Sequence, residues 1–339
     1  MVEPNVWISA REAAARLDVK LATLYAYASR GWVESVPAPS GRGHHYASTS
    51  IERLKARHDA RAGHAAVAAG ALRWGEPSLE TSISELDREG PRYRGVSAIE
   101  LCDTAESFES VAELLWAGQL GAGRWAASLR AAPPRRPARA GTLAYYAAAL
   151  STAALHDHTR HGATDAAEHA RARRIIRWLA ALPSDRKEGT VAELLLASFR
   201  VKAQPQVAHA LDRALILSAD HELNASTFAA RVTASTGADL YACLGAALFA
   251  LSGPKHGGVT TRVEALLHEA SPARVRRIVH DRLARGEGIP GFGHVLYQDG
   301  DPRARKLLEL ARQHAPIKRV DALCQAMERA GQPAPNLDL

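Results

Sequence analysis

Cysteine is scarce in this chain of 339 residues, which contains only Cys102, Cys243 and Cys324. The three lie far apart and form no CxxC pair, so neither a disulfide framework nor a thiolate metal site is expected. No apolar run is long enough to cross a bilayer. The longest, from Tyr241 to Leu251, has about half the length that a membrane helix needs and predicts a buried helix.

A strong charge imbalance and a leader sequence are also missing. The net charge of +7 is spread along the chain, and residues 1–62 hold nine basic and six acidic side chains. Charge alone is therefore weak evidence for a nucleic-acid partner. The start, MVEPNVWISAREAAA, has no basic segment followed by an apolar one, so we expect no signal peptide and a cytoplasmic location.

What the chain does contain is alanine-rich sequence with little of the alternation typical of strands, which favours a mainly α-helical protein. The length suits one large and one small domain. We place the small domain at residues 1–62, an Ala/Gly-rich linker at residues 63–75 and the large domain at residues 76–339.

The N-terminal part has the layout helix, tight turn, helix, hairpin, helix. Ser9 is a predicted N-cap and Gly31 a predicted helix end. The segments EAAARLDV, TLYAYASRGWV and HHYASTSIERL resemble the winged helix-turn-helix module of the mercury-resistance-regulator and excisionase class. That resemblance implies DNA contacts from five residues. These are Lys20, Thr23, Tyr27, Arg30 and Arg42. A degenerate or protein-docking module is the alternative, because His44 and His45 stand where a wing usually carries arginines.

Three segments of the large domain place histidines beside glycines or at helix edges: SADHELNASTF, SGPKHGGV and GIPGFGHVLYQDGDPRARKL. A helix is predicted after His256, and its dipole would favour the neutral imidazole, which can donate to a developing oxyanion. The spacing of His294 and Arg303 allows one loop to bring both to a small acid. Each histidine could instead be structural. A metal site is not expected, because the spacings are not i, i+4.

Together these segments resemble the citrate synthase family, in which ADHELNASTFAAR, GPxHGG and PGFGHxxYxxxDPRA occur in this order. YRGVSAIEL, SFESVAELLWAGQL and the final PNLDL resemble further parts of that family, so the resemblance runs from about residue 72 to the last residue. It implies a citrate-synthase-like multi-helix body attached to the small helix-turn-helix domain.

The resemblance also implies the role of each site residue. His256 would bind the thioester oxygen of acetyl-CoA, and Asp338 would remove the methyl proton. His294 would polarise the keto group of oxaloacetate, while Arg303 and His221 would bind the same substrate. Coenzyme A would lie against the backbone of one loop. That loop consists of Gly291, Phe292 and Gly293.

The sequence departs from the family pattern in several places, two of which concern substrate binding. It ends one residue after Asp338, whereas the family continues with a helical segment carrying two substrate-binding arginines, so the body is expected to be C-terminally truncated. Val295 and Gln298 stand where the family often has arginine and lysine near coenzyme A. The resemblance implies a homodimer and no tightly bound cofactor.

Three functions remain open at this stage. The first is an enzyme that uses acetyl-CoA, or propionyl-CoA as a 2-methylcitrate synthase does; the two differ by one methylene, which sequence does not resolve. The second is a metabolite-sensing DNA-binding regulator built on a degraded synthase body. The third is an inactive remnant.

Overall fold

The computed structural model of the chain has two compact units, Met1–Pro77 and Ser78–Leu339. It describes residues 7–17, 19–30, 32–38, 43–61, 81–121, 124–125, 128–161, 164–184, 186–202, 204–221, 224–294, 296–297, 299–314 and 317–339. The predicted linker at residues 63–75, the helix end at Gly31 and the candidate DNA contact Arg42 lie outside the described residues. The predicted domain boundaries stay predictions.

The smaller unit combines short helices with a three-stranded antiparallel sheet in the order β1-β3-β2. Its elements are β1 (Trp7–Ser9), α1 (Ala10–Arg16), α2 (Leu21–Ser29), β2 (Ser35–Pro37), β3 (His44–Ala47) and α3 (Ser48–Arg61). Ser9 caps α1 as predicted, since its hydroxyl accepts the backbone N–H of Glu12 at 3.2 Å. Leu24 and Ile51 are completely buried at the centre of this unit's apolar core.

The larger unit opens with a three-stranded antiparallel sheet and continues as helices, which confirms the mainly helical prediction. Its strands are β4 (Ser84–Asp87), β5 (Gly90–Tyr93) and β6 (Val96–Ser97). Its helices are α4 (Ala98–Thr104), α5 (Phe108–Ala117), α6 (Thr142–His156), α7 (Asp165–Ala181), α8 (Val191–Ser198), α9 (Pro205–Leu217), α10 (Ala225–Ser235), α11 (Leu240–Leu251), α12 (Val259–Glu269), α13 (Val275–Ala284), α14 (Pro302–His314) and α15 (Lys318–Arg329). None of the described helices combines the length and the apolar character that a membrane crossing requires. The cytoplasmic location stays a prediction.

Tyr93 ties the sheet of the larger unit to the end of α9. Its ring is completely buried in the core that α4, α5 and α9 share. The Tyr93 hydroxyl donates to the carbonyl of Ile216 at 3.0 Å and accepts the backbone N–H of Asp220 at 3.3 Å. Because a buried hydroxyl left without a partner is costly, this pairing fixes the chain that leads from α9 to His221.

Helix α11 corrects one sequence prediction. The apolar run from Tyr241 to Leu251 does form a helix, but only Tyr241 and Cys243 are buried within it. One side of α11 packs against α6 and α10. Phe249 points away from these neighbours and is 66% exposed. The prediction of a fully buried helix fails because the unit supplies packing partners for part of the helix surface only.

An ion pair anchors the connection between α6 and α7. Arg171 is 2% exposed, and its Nε donates to Asp157 Oδ2 at 2.7 Å. Asp157 also accepts hydrogen bonds from the backbone N–H and hydroxyl of Thr159 and from the hydroxyl of Tyr241. Burial alone would raise the pKa of Asp157, but the hydrogen bonds from Arg171, Thr159 and Tyr241 outweigh it and hold that pKa far below 3.8.

We predict that Asp157→Asn lowers the free energy of unfolding by about 1–3 kcal/mol at pH 7, because the buried Arg171 loses one of its two carboxylate partners and keeps only Glu168. A carboxyl group with a lowered folded-state pKa stabilises the fold above its unfolded value of 3.8. The difference in free energy of unfolding between wild type and variant should therefore become smaller as the pH falls below 3.8. Urea unfolding followed by circular dichroism measures both effects. The control is Glu264→Gln, at a largely exposed pair with His268, which should change stability by less than about 1 kcal/mol.

Candidate active site

The three predicted histidines come from separate parts of the larger unit. His221 follows α9, His256 lies in the turn between α11 and α12, and His294 lies in the loop between α13 and α14. The rings of His221 and His294 meet edge to face, with their centroids 5.5 Å apart. Asp338 acts electrostatically on both His256 and His294. The structure therefore brings the predicted base and the three imidazoles into one polar cluster.

His294 has a defined tautomer. Its Nδ1 accepts the backbone N–H of Leu296 at 3.1 Å, so a neutral ring carries its proton on Nε2. Burial is the main effect on His294 and lowers its pKa. The carboxylates of Asp301 and Asp338 raise this pKa, and the positive charge of Arg303 lowers it. The result at neutral pH is an uncharged imidazole with one N–H available for donation.

His221 is also held neutral. Burial lowers its pKa to about 4, with further contributions from the charges of Arg303 and His294. Its Nε2 atom is buried without a hydrogen-bond partner among the described residues. Such an atom loses its hydration and gains nothing in exchange, so a ligand that reaches it would recover that cost.

His256 occupies a tight turn that leads into α12, as predicted. Its backbone N–H donates to the carbonyl of Gly253 at 2.9 Å, and the backbone N–H of Val259 donates to the carbonyl of His256. Burial is the main cause of its lowered pKa, and the negative charge of Asp338 acts against this shift. The Ser226 hydroxyl lies 3.1 Å from Nε2 of His256 and 2.7 Å from Oδ1 of Asn224, and can donate its single proton to one of them at a time.

Asp338 sits on a short segment that docks against the loop carrying His294. Phe292 and Pro335 form an antiparallel bridge. The backbone N–H of Asn336 donates to the Gly291 carbonyl at 3.0 Å, and its side-chain amide donates to the Gly293 carbonyl at 2.7 Å. Burial raises the pKa of Asp338, although the positive charge of Arg303 opposes this shift. A carboxylate with a raised pKa is a stronger base.

The docked segment also explains the loop glycines. Gly291 and Gly293 have φ angles of +87° and +79°, a region that favours glycine. A Cβ atom on Gly291 would lie 3.2 Å from side-chain atoms of both Val263 and Leu339. The carbonyls of both glycines and the N–H of Gly293 are used in hydrogen bonds to residues 334–336. Coenzyme A binding by Gly291, Phe292 and Gly293 stays a prediction.

Arg303 is the second residue of α14 and is 3% exposed. Its guanidinium forms two hydrogen bonds with the carboxylate of Asp301, at 3.0 and 2.8 Å. It also lies over the ring of Tyr297, 5.6 Å from the centroid. Nη1 donates no hydrogen bond to any described residue, so one nitrogen of the guanidinium is left for an anion.

Four residues of this site were not singled out from the sequence. They are Ser226, Tyr297, Asp301 and Asn336. The Tyr297 ring packs against His294, with the centroids 4.6 Å apart, and its hydroxyl is buried without a partner among the residues that the structure describes. The GFGHxxYxxxDPRA spacing contains Tyr297 and Asp301, and this pattern was the available signal. Among the described residues, no group of three or more metal-ligating side chains could hold a metal ion.

The candidate DNA contacts lie on the smaller unit. Lys20 is exposed at the start of α2, and Thr23 is half-buried in its first turn. Tyr27 is half-buried, packs on the core and stacks on Trp32 at 5.4 Å, and its role as a DNA contact stays a prediction. The guanidinium of Arg30 also lies over Trp32, 5.6 Å from the ring.

The same unit has a cleft of about 700 Å³. Its lining residues include Arg11, Tyr25, His44 and His45, together with Leu21. No acidic side chain is among the described residues that line it. The cleft is therefore suited to a negatively charged ligand rather than to a cation.

Comparisons with known proteins cover mainly the larger unit. Residues 71–339 match the family model described as "Citrate synthase, C-terminal domain". The chain is 36% identical over 253 residues to the "Putative citrate synthase 2" of Mycobacterium tuberculosis, which covers 69% of this chain and 67% of that protein.

Two solved structures have a similar fold. Citrate synthase from Thermotoga maritima aligns with a TM-score of 0.64 at 29% identity, covering 78% of this chain and 80% of that one. Citrate synthase from Thermoplasma acidophilum, solved as a ternary complex with carboxymethyl coenzyme A and oxaloacetate, aligns with a TM-score of 0.63 at 26% identity, covering 77% of this chain and 80% of that one.

Proposed function

The chain belongs to the citrate synthase family, and from this premise we propose that it condenses acetyl-CoA with oxaloacetate to give citrate and free coenzyme A. The mainly helical citrate-synthase-like fold predicted for the body is confirmed by the match to solved structures. One observation carries the proposed activity: neutral imidazoles, the half-buried carboxylate of Asp338 and the guanidinium of Arg303 form a single cluster. The proposal includes no tightly bound cofactor.

Asp338 is the base in this proposal. It removes a proton from the carbon next to the thioester carbonyl, and negative charge develops on the thioester oxygen. His256 donates a hydrogen bond to that oxygen. The donor atom in this proposal is Nδ1 of His256, so Nε2 carries no proton and accepts a hydrogen bond from the Ser226 hydroxyl. The separation of 3.1 Å between Nε2 and that hydroxyl oxygen allows this hydrogen bond. The raised pKa of Asp338 and the lowered pKa of His256 both suit these roles.

Oxaloacetate binds between His294 and Arg303. The Nε2–H of His294 donates to the keto oxygen and makes the keto carbon more electrophilic. Nη1 of Arg303 and Nε2 of His221, neither of which has a hydrogen-bond partner among the described residues, bind the substrate's oxygens. The enol carbon attacks the keto carbon, and water then hydrolyses the citryl thioester, which releases the coenzyme A thiol.

Thiol release from acetyl-CoA and oxaloacetate tests the proposal directly. We expect turnover by the wild-type chain and a loss in kcat of roughly 10²–10⁴-fold for Asp338→Asn, because the amide cannot accept the proton. Asp281→Asn makes the same chemical change on the exposed surface of α13 and should keep wild-type turnover. Equal kcat values for Asp338→Asn and wild type would show that Asp338 is not the base.

The same assay separates the two acyl donors. A higher kcat/KM with propionyl-CoA than with acetyl-CoA would identify the reaction as 2-methylcitrate synthesis. The mechanism would remain the same. Propionyl-CoA carries an extra methyl group on the carbon that becomes the nucleophile, and this group changes only how well the acyl chain fits the pocket.

We also propose that the chain forms a homodimer through α10 and α11. The two helices pack against each other, and their outer surface includes two large exposed apolar side chains, Phe249 at 66% and Val232 at 50%. An exposed apolar surface of this kind favours association with another protein surface. A second copy of the chain offers the same apolar surface, as a two-fold interface requires.

Phe249→Asp should convert the dimer to a monomer, because a buried charge at the interface has no partner. Light scattering coupled to size-exclusion chromatography gives the mass. Phe199→Asp introduces the same charge at another exposed aromatic, next to α8, and should leave the dimer intact. A wild-type chain that is monomeric at micromolar concentration would contradict the proposal.

For the smaller unit we propose a winged helix-turn-helix module that binds duplex DNA. The cleft lined by Arg11, Tyr25 and two histidines, without acidic lining residues among those described, favours a polyanion. Lys20 lies at the start of α2 and adds a second cation. A regulator that senses metabolites through its larger unit would use this surface.

Fluorescence polarisation of a labelled duplex, measured with the full chain at several salt concentrations, tests this module. The double variant Lys20→Ala/Arg11→Ala should weaken binding and reduce the slope of log K against log salt by about two, one for each lost phosphate contact. Lys55→Ala removes an exposed charge from α3, outside the cleft lining, and serves as the control. Absence of binding at low salt would contradict the proposal.

A further inference from the structure

Asp301 is a buried carboxylate to which the reaction above assigns no step. It is 2% exposed and lies directly before α14. Its Oδ1 accepts the backbone N–H and the Nε–H of Arg303, both at 3.0 Å. Its Oδ2 accepts Nη2 of Arg303 at 2.8 Å and the backbone N–H of Leu337 at 3.2 Å. Both oxygens of Asp301 are thus fully engaged.

The first consequence concerns the direction of the guanidinium. Two parallel hydrogen bonds to one carboxylate fix its plane, and the ring of Tyr297 lies beneath it. The nitrogen that remains, Nη1, therefore has a defined position before any substrate arrives. A side chain ordered in advance loses less conformational freedom when it binds a ligand.

The second consequence concerns the base. The N–H that Asp301 accepts from the docked segment belongs to Leu337, the residue next to Asp338. The same oxygen therefore holds both Arg303 and the backbone that carries Asp338. We propose that Asp301 is a positioning residue that keeps the oxaloacetate-binding guanidinium and the catalytic base in one fixed arrangement. This inference rests on the proposed function.

The charge of Asp301 adds an electrostatic effect. The groups whose charges act on Asp338 are Arg303, His256, Asp301 and His294. Of these, Asp301 is negative and raises the pKa of Asp338, whereas Arg303 lowers it. Removing the charge of Asp301 leaves Arg303 unopposed, so the pKa of Asp338 should fall.

Two substitutions separate the geometry from the charge. Asp301→Asn removes the charge and one acceptor, so we expect the KM for oxaloacetate to rise about 10- to 100-fold and kcat to fall. The acid limb of the plot of kcat/KM against pH, which reports the protonation of Asp338, should move to lower pH. Asp301→Glu keeps the charge but displaces it by one methylene, so the KM should rise while the acid limb stays near its wild-type position. Asp299→Asn, at an exposed position of the same loop, should match wild type in both measurements.

The outcomes distinguish this inference from the proposed function. A wild-type chain that releases no thiol overturns both. Active wild type together with an Asp301→Asn variant that keeps the wild-type KM and acid limb overturns the positioning role alone. Thermal unfolding shows whether each variant folds. If Asp301→Asn does not fold, a folded Asp301→Glu with a wild-type KM for oxaloacetate overturns the inference.

Discussion

The docking of residues 334–339 on the loop that carries His294 is the interaction on which the site depends. An antiparallel bridge between Phe292 and Pro335 and two hydrogen bonds from Asn336 hold the segment in place. Asp338 is distant from the histidines along the chain, because α14 and α15 separate it from His294 and His256 lies further upstream. Without this contact the cluster would contain acceptors and donors for a substrate but no base.

Burial then gives the members of the cluster complementary properties. The same desolvation raises the pKa of Asp338 and lowers the pKa values of His256 and His294, because in each case it disfavours the charged form. A carboxylate becomes more basic while its neighbouring imidazoles stay neutral donors. Pairs of groups whose environments push their pKa values apart are typical of acid–base catalysis.

Sequence alone predicted the parts that depend on local interactions. Helical character, the cap at Ser9 and the helix after His256 follow from residues within a few positions of one another. The motif order also identified the residues that form the cluster. What it could not predict depends on tertiary contacts. The hydrogen bond from the backbone N–H of Leu337 to Asp301 joins residues 36 positions apart, and it links the local Asp301–Arg303 pair to the segment that carries Asp338.

Helix α11 and residue Tyr27 show the same limit for burial. Apolar composition predicted that α11 would be enclosed, yet the unit covers only the side that faces α6 and α10. For Tyr27, which was predicted as a DNA contact, the structure adds a stacking contact with Trp32 that the sequence did not indicate. Which face of a helix is covered depends on the neighbours available, and periodicity carries no information about them.

The charges in the cluster limit what it can bind. Arg303 is already paired with Asp301, so much of its positive charge is offset before a substrate arrives. A dicarboxylate held by this guanidinium alone would be poorly compensated. His221 Nε2 and the Tyr297 hydroxyl are buried without partners among the described residues, and each unmade hydrogen bond costs about 1–3 kcal/mol. An oxygen-rich ligand that pairs with these atoms recovers this cost, whereas an apolar ligand of the same size leaves it in place. In the proposed reaction, selectivity for a keto acid would therefore depend on these unsatisfied neutral groups as much as on charge.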